Sequence, residues 1–100
     1  MDYEVVLSPL SIEDLEEIVR YVSQGDPAAA ERLGNSLIDS ALELRMFPER
    51  GRLVPEFSDG ITREIIHRPY RIVYRVDHRL KAVHISRFWH GARLLSLEEG

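Results

Sequence analysis

A chain of 100 residues, 44% hydrophobic and 30% charged, has the size and composition of one folded domain, so residues 1–100 are treated as a single domain. The sequence contains no cysteine, which excludes a disulfide framework and a thiolate metal site. It also lacks both an apolar run of about 18 residues and a signal-peptide pattern, so we expect a cytoplasmic protein with no membrane span.

Charge is distributed unevenly along the chain. The net charge is −4 at pH 7, yet residues 1–49 hold three Lys or Arg against eleven Asp or Glu, and residues 50–100 hold ten against six. Two interpretations remain open. Either an acidic helical layer neutralises a basic sheet within the molecule, or the molecule is bipolar and its basic face binds phosphates or an acidic protein.

The first half of the chain predicts one strand followed by two helices. Residues 2–8 alternate between apolar and polar side chains, the pattern of a strand with one buried face. Ser11 is the expected N-cap of the first helix. Asp26 and Pro27 start the second helix, which Pro48 ends, and the short linker predicts an antiparallel helical hairpin. The apolar stripe of the first helix comprises Ile12, Leu15, Ile18, Val19 and Val22.

The second half predicts a sheet. A loop with turn-forming residues covers positions 48–60, and residues 77–81 form a hairpin turn. We expect the chain to leave the sheet at Trp89. The order β-α-α-β-β-β predicts an α+β fold, in which an antiparallel helical hairpin packs on one face of a mainly antiparallel β-sheet. The three strands of this half are expected at about 61–67, 70–77 and 82–88.

Arginines recur along these strands, at Arg63, Arg71, Arg75 and Arg87. Alternate side chains of a strand face opposite sides, so one face of the sheet can be core while the other carries cations. Because the chain is acidic overall, these cations indicate an anionic or acidic partner. A structural role is the alternative for each arginine, with its stem on apolar neighbours and its head paired with Asp or Glu. Among the four arginines, Arg63 is the one that we most expect to form such an intramolecular ion pair, with the adjacent Glu64.

The four histidines do not form a metal-binding pattern. They lie in different predicted elements and show no His-x-x-x-His spacing, so we expect no metal and no cofactor. His78 is expected in an exposed turn and His84 in a partly buried position. His90 has the most functional promise, although a structural hydrogen bond explains it more simply. The remaining histidine, His67, lies in a predicted strand and is assigned no separate role.

An ordered set of short motifs covers nearly the whole chain. It includes residues 3–9 (YEVVLSP), 27–30 (PAAA), 70–76 (YRIVYRV) and 87–93 (RFWHGAR). In this order the motifs resemble the ParE/RelE toxin superfamily, and the ParE branch more than the RelE branch. The resemblance implies the same β-α-α-β-β-β arrangement. It also implies a toxin of a type II toxin–antitoxin system that a cognate antitoxin neutralises in a hetero-oligomeric complex.

The two branches of the superfamily imply different activities. The ParE branch implies inhibition of DNA gyrase by binding, whereas the RelE branch implies cleavage of mRNA on the ribosome. An inactive member kept as a protein-interaction module is a third possibility. A basic groove suits an acidic antitoxin, gyrase or RNA equally well, so the charge pattern does not choose between them.

Metal-free RNA cleavage requires a general base, cations that stabilise the phosphate in the transition state, and a general acid. The C-terminal tyrosine and the lysine cluster of the RelE branch are missing here, because Trp89 and His90 follow the last strand and Lys81 is the only lysine. The sequence therefore favours inhibition by binding. The candidates for catalysis would be Glu56, Arg71, Arg87 and His90. The candidates for partner binding are Arg63, Arg71, Arg75, Arg87, Trp89, His90 and Arg93.

Overall fold

A computed structural model of the chain describes residues 2–93. It confirms the predicted α+β fold, with a helical hairpin packed on one face of a five-stranded sheet. The predicted loop contains one short additional strand. In chain order the elements are β1 (Glu4–Leu7), α1 (Pro9–Ser23), α2 (Pro27–Leu42), a 3₁₀ turn (Glu43–Arg45), β2 (Arg52–Leu53), β3 (Arg63–His67), β4 (Tyr70–Asp77) and β5 (Ala82–His90).

The strands lie in the order β1-β5-β4-β3-β2. Strand β1 runs parallel to β5, and the other pairings are antiparallel, as a mainly antiparallel sheet requires. The hairpin turn predicted at residues 77–81 lies between β4 and β5. The turn between β3 and β4 contains a cis Arg68–Pro69 peptide bond.

A β-bulge in β5 changes which side chains face the helices. Val73 of β4 lies opposite Arg87, whereas the next residue, Tyr74, lies opposite Ile85, so Ser86 has no partner on β4. An extra residue in one strand reverses the alternation of the residues that follow it. Before the bulge the odd-numbered Ile85 faces the core, and after it the even-numbered Phe88 does.

The main core lies between the helices and the sheet. Strand β4 contributes Tyr70, Ile72 and Tyr74 to this core. The opposite side of the sheet, called the open face below, carries Glu64, Arg71, Val73, Arg75 and Trp89, and has a small apolar cluster around Val54 and Val73. The buried core side chains from the other elements are Leu37, Ala41, Leu44, Ile65, Val83, Ile85 and Phe88.

The helix N-termini are capped by side chains. Asp26 accepts a hydrogen bond from the Ala29 N–H at 3.0 Å, which confirms the predicted start of α2. The predicted Ser11 cap of α1 is wrong, because Ser8 accepts the Ser11 N–H at 3.0 Å and α1 begins at Pro9. A proline has a fixed φ that suits the first helical position, which places the cap one residue before it.

Some expectations outside the regular elements also change. Strand β5 continues to His90, so Trp89 stays in the sheet instead of leaving it. His84 is exposed instead of partly buried. His78 is an exposed turn residue, as predicted. The apolar pattern of Leu94, Leu95 and Leu97 predicts a short turn or helix that packs back on the domain, and these residues lie outside the described part of the chain.

Side chains from the start of α1 continue the hydrogen bonding along β5 after β1 ends. The Ser8 hydroxyl donates to the Ser86 carbonyl at 3.0 Å. Asp14 accepts the Phe88 N–H at 3.2 Å and two bonds from the Arg87 guanidinium, at 2.7 and 2.8 Å. Backbone groups of a strand edge need such acceptors and donors when they are buried. Asp14 therefore fastens α1 to the sheet.

Replacing Asp14 by alanine should lower the free energy of unfolding by about 2–3 kcal/mol, since it removes the carboxylate from a largely buried ion pair and from the Phe88 N–H. Denaturant unfolding followed by circular dichroism measures this loss. The exposed neighbour Glu13 provides a matched control on the same helix, and Glu13→Ala should change stability by less than about 0.5 kcal/mol. Equal effects of the two substitutions would contradict the role given to Asp14.

Candidate functional site

Four charged side chains form a continuous network on the open face. The Glu64 carboxylate is fully buried and accepts hydrogen bonds from the Nε atoms of Arg71, at 2.5 Å, and Arg52, at 2.7 Å. The two terminal nitrogens of Arg71 donate to the two oxygens of Glu56, at 2.7 and 2.8 Å. The Arg71 side chain is 11% exposed and that of Glu56 is 31% exposed. The partly exposed Glu56 therefore covers the buried ion pair between Arg71 and Glu64.

The network fixes the protonation states of Glu56 and Arg71. Hydrogen bonds from Arg71 lower the pKa of Glu56 from 4.5 to about 2, and the bonds to Glu56 and Glu64 raise the pKa of Arg71. Glu56 is therefore a carboxylate throughout the physiological pH range. A general base works best when its pKa lies near the working pH, so Glu56 is poorly suited to that role in this arrangement.

A second set of contacts holds the loop between β2 and β3. Arg75 donates to the Thr62 hydroxyl at 3.0 Å and to Asp59 at 3.4 Å. Hydrogen bonds from Thr62 and Ile61 lower the pKa of Asp59 from 3.8 to about 2. The Arg75 side chain remains 49% exposed, so it stays accessible to a partner.

The expected Arg63–Glu64 pair is wrong. Consecutive residues of a strand face opposite sides, so Glu64 points to the open face and binds Arg71 and Arg52. Arg63 instead donates to the Gly51 carbonyl at 2.7 Å at the edge of the sheet. Arg52 was missed because it lies in the segment predicted as a loop, where no alternation identifies a face.

Trp89 covers the apolar cluster of the open face. It packs against Val54 and Val73, and the Arg87 guanidinium lies 4.7 Å from the centroid of its ring. A cation over an aromatic face is attracted by the π-electrons. Arg87 is therefore held between Trp89 and Asp14, with 10% of its side chain exposed.

His90 lies on the helix side of the sheet. Its ring meets that of Tyr70 edge to face, with centroids 5.5 Å apart, and its Nδ1 accepts the Ala92 N–H at 3.1 Å. It lines a cleft of about 860 Å³ together with Tyr21 and Arg93. Gly91 follows, and a Cβ atom there would lie 3.0 Å from the Pro69 carbonyl oxygen, so the close approach of the two turns favours glycine.

The structure does not assemble the four candidates for RNA cleavage around one point. Glu56 and Arg71 are in contact, but each neutralises the other. Arg87 is paired with Asp14, and His90 lies on the other side of the sheet. Of the seven candidates for partner binding, Arg71 and Arg87 are buried, and the other five are accessible, with His90 on the helix side of the sheet. The exposed or half-buried candidates are Arg63, Arg75, Trp89, His90 and Arg93.

Within residues 2–93, no three histidine or acidic side chains are arranged to hold a metal ion. In the same part of the chain, neither helix is long and apolar enough to cross a membrane.

Comparison with known proteins identifies the class of this chain. The family model of the ParE toxin of the type II toxin–antitoxin system parDE matches residues 5–95. Toxin RelE2 of Caulobacter vibrioides is 39% identical over 92 residues, which cover 91% of this chain and 98% of the relative. Toxin RelE1 of the same organism is 35% identical over 95 residues, with coverages of 91% and 96%. The chain therefore belongs to the ParE/RelE superfamily of type II toxins.

Solved structures of this superfamily have the same fold. The toxin–antitoxin complex RelBE2 from Mycobacterium tuberculosis contains a chain that matches with a TM-score of 0.70 and 23% identity, over 90% of this chain and 99% of that one. A chain of the chromosomal ParDE system from P. aeruginosa matches with a TM-score of 0.72 and 20% identity, over 88% and 95%.

The depressed pKa values predict how stability depends on pH. A carboxylate whose pKa is lower in the folded than in the unfolded chain stabilises the fold fully above its ordinary pKa, and loses that effect as the pH falls through the folded value. Glu56 and Asp59, with folded pKa values of about 2, should thus make the free energy of unfolding decrease between about pH 5 and pH 2. Denaturant titrations across this range measure the slope.

Glu56→Gln tests the contribution of one of these groups. The variant should be less stable than the parent at pH 7, its stability should depend less on pH in the acidic range, and the two curves should approach each other near about pH 2. A constant difference between the curves at every pH would show that the loss comes from packing and not from the charge of Glu56.

Proposed function

We propose that this toxin inhibits DNA gyrase by binding it, that its own residues perform no catalysis, and that a cognate antitoxin neutralises it. The separation of the catalytic candidates carries this proposal. A general acid or base must lie within hydrogen-bond reach of the reacting atoms. Here Glu56 is engaged by Arg71, and His90 lies across the sheet from both.

The open face has the properties of a surface that binds protein. Arg52 is 62% exposed, Arg75 is 49% exposed, and the neighbouring Ile66 is 50% exposed on the same face. Protein interfaces combine an apolar centre with arginine and aromatic side chains, and need charge complementarity instead of an acid–base pair. The match to the ParE family model supports gyrase as the target.

A ribosome-dependent mRNA endoribonuclease of the RelE type is the second candidate function. Two observations favour it. Both of the Caulobacter vibrioides relatives carry the name RelE. In addition, Glu56 and Arg71 lie side by side on one face, where a base and a phosphate-binding cation would be needed. This function requires a rearrangement that releases Glu56 from Arg71.

The antitoxin should bind tightly enough to purify with the toxin. We expect the product of the adjacent gene to bury roughly 2,000 Å² or more and to place carboxylates near the exposed arginines of the open face. Co-expression with a tag on one partner, followed by size-exclusion chromatography, tests the pair. Separate elution at micromolar concentration would exclude an obligate complex between these two proteins.

The target prediction concerns cells and purified gyrase. Induction of the toxin should give filamentous cells and a DNA-damage response, while translation continues at early times. Purified gyrase should lose supercoiling activity and accumulate cleaved DNA. Early loss of translation with mRNA cuts in the ribosomal A site, and with gyrase unaffected, would establish the ribonuclease instead. No effect on growth would identify an inactive, protein-binding member of the family.

His90→Ala separates the two mechanisms at the residue level. Loss of a general acid or base costs about 10²–10⁴-fold in rate, whereas loss of one contact at the rim of an interface typically costs below about 1 kcal/mol. Binding to gyrase therefore predicts a small effect on toxicity. As a control, the His90→Ala variant must still bind the antitoxin and unfold cooperatively, so that a loss of toxicity cannot be due to a loss of folding.

A further inference from the structure

Arg71 presents a fixed guanidinium with one edge turned outward. Its Nε is held at 2.5 Å by Glu64, whose side chain is fully buried and which also binds Arg52. The guanidinium therefore keeps its position whatever its terminal nitrogens bind. Those nitrogens, Nη1 and Nη2, form two parallel bonds with one carboxylate. Such a planar, two-point edge matches the two oxygens of a carboxylate closely.

The carboxylate that fills this edge sits on a turn. Glu56 lies between Val54, which is buried in the apolar cluster, and Phe57, which packs on the same cluster. The Phe57 N–H donates to the Val54 carbonyl at 3.2 Å and closes the turn, so these two residues anchor it without the Glu56 side chain. Glu56 is 31% exposed and reaches Arg71 from outside. Rotation about its side-chain bonds releases Arg71 while the anchors stay in place.

We propose that Glu56 is an internal occupant of an anion site on Arg71, and that a carboxylate from an acidic segment of a partner protein displaces it. This inference rests on the proposed function only in assigning anionic partners to the open face. The observed occupant argues for the chemistry of the ligand, because a second carboxylate reproduces the same two bonds to the same nitrogens. Glu56 then acts as an autoinhibitory group that lowers the affinity of Arg71 for its partner.

Charge and local concentration make the competition effective. Arg52, Glu64, Arg71 and Glu56 together are neutral, and displacement of Glu56 leaves one positive charge at the outer edge. Because Glu56 is tethered close to Arg71, it competes at a high effective concentration, of roughly millimolar order for a short tether. An external carboxylate displaces it only when its own concentration and affinity for Arg71 outweigh this effective concentration. Protonation does not release Glu56 near neutral pH, since its pKa is about 2. At neutral pH the site is therefore opened by a competing anion and not by protonation of Glu56.

Removal of Glu56 should therefore strengthen binding of an external carboxylate. The probe is a blocked peptide of alternating glutamate and alanine, and its glutamine–alanine counterpart is the uncharged control. Two readouts report on the site in the purified chain. Trp89, the single tryptophan, lies beside Arg71 on the open face and reports by fluorescence. The Nε–H resonance of Arg71 reports by NMR.

We expect the acidic peptide to bind Glu56→Ala and Glu56→Gln about tenfold more tightly than the parent. Glu49→Gln is the matched control, because it removes one negative charge from an exposed position that does not contact Arg71. It should bind like the parent, and the uncharged peptide should bind none of the proteins. Cooperative unfolding of each variant establishes that the anchored turn and the core are intact.

Two outcomes would overturn the inference. Equal affinity of the parent and both Glu56 variants for the acidic peptide would mean that Glu56 does not compete. A gain seen with inorganic phosphate at matched ionic strength, but absent with the peptide, would make the ligand a phosphate and reject the carboxylate partner. Because neither antitoxin nor gyrase is present, a failure here is distinct from a failure in the supercoiling assay.

Discussion

The buried ion pair between Glu64 and Arg71 determines what the open face of this sheet can do. A carboxylate with no exposed surface is costly to bury unless cations and hydrogen bonds compensate it, and Arg71 and Arg52 provide both. Arg71 is consequently fixed in the sheet by its Nε and cannot move toward a ligand. The rest of the open face is arranged around this fixed cation, including the Glu56 turn and the apolar cluster beneath Trp89.

The arginines of the strands are mostly neutralised within the molecule, although not in the way that the charge distribution suggested. Among residues 2–93, an acidic helical layer covering a basic sheet accounts for one of the ion pairs of the sheet, Asp14 with Arg87. The partners of Arg71 and Arg75 are Glu56, Glu64 and Asp59, which all belong to the basic half of the chain. The helical hairpin therefore keeps most of its acidic side chains for solvent or for a partner.

Sequence periodicity predicted the type and order of the main elements, because burial on one side enforces a regular apolar pattern within a strand or a helix. It left the facing of β4 open, since both faces of this strand carry apolar side chains. It did not predict the side-chain pairs, which depend on the register between strands distant in sequence. The bulge at Ser86 shows why. Counting alternate residues from Val83 and Ile85 places His90 on the open face beside Arg71, whereas the inserted residue turns it to the helix side. One unpaired residue thus separates Arg71 and His90, which simple alternation places on the same face.

The same bulge bears on the activity that this chain can have. Catalysis on the open face needs a free cation and a group with a pKa near the working pH, both on that face. In this chain Arg71 is bound by Glu56, and Glu56 has a pKa of about 2. His90, the last residue of β5, faces the helices. Binding to a partner requires neither a free cation nor a group with a pKa near the working pH. It needs only a partner carboxylate able to replace Glu56, so under the displacement that we propose the network of Glu56, Arg71 and Glu64 selects acidic partners by geometry.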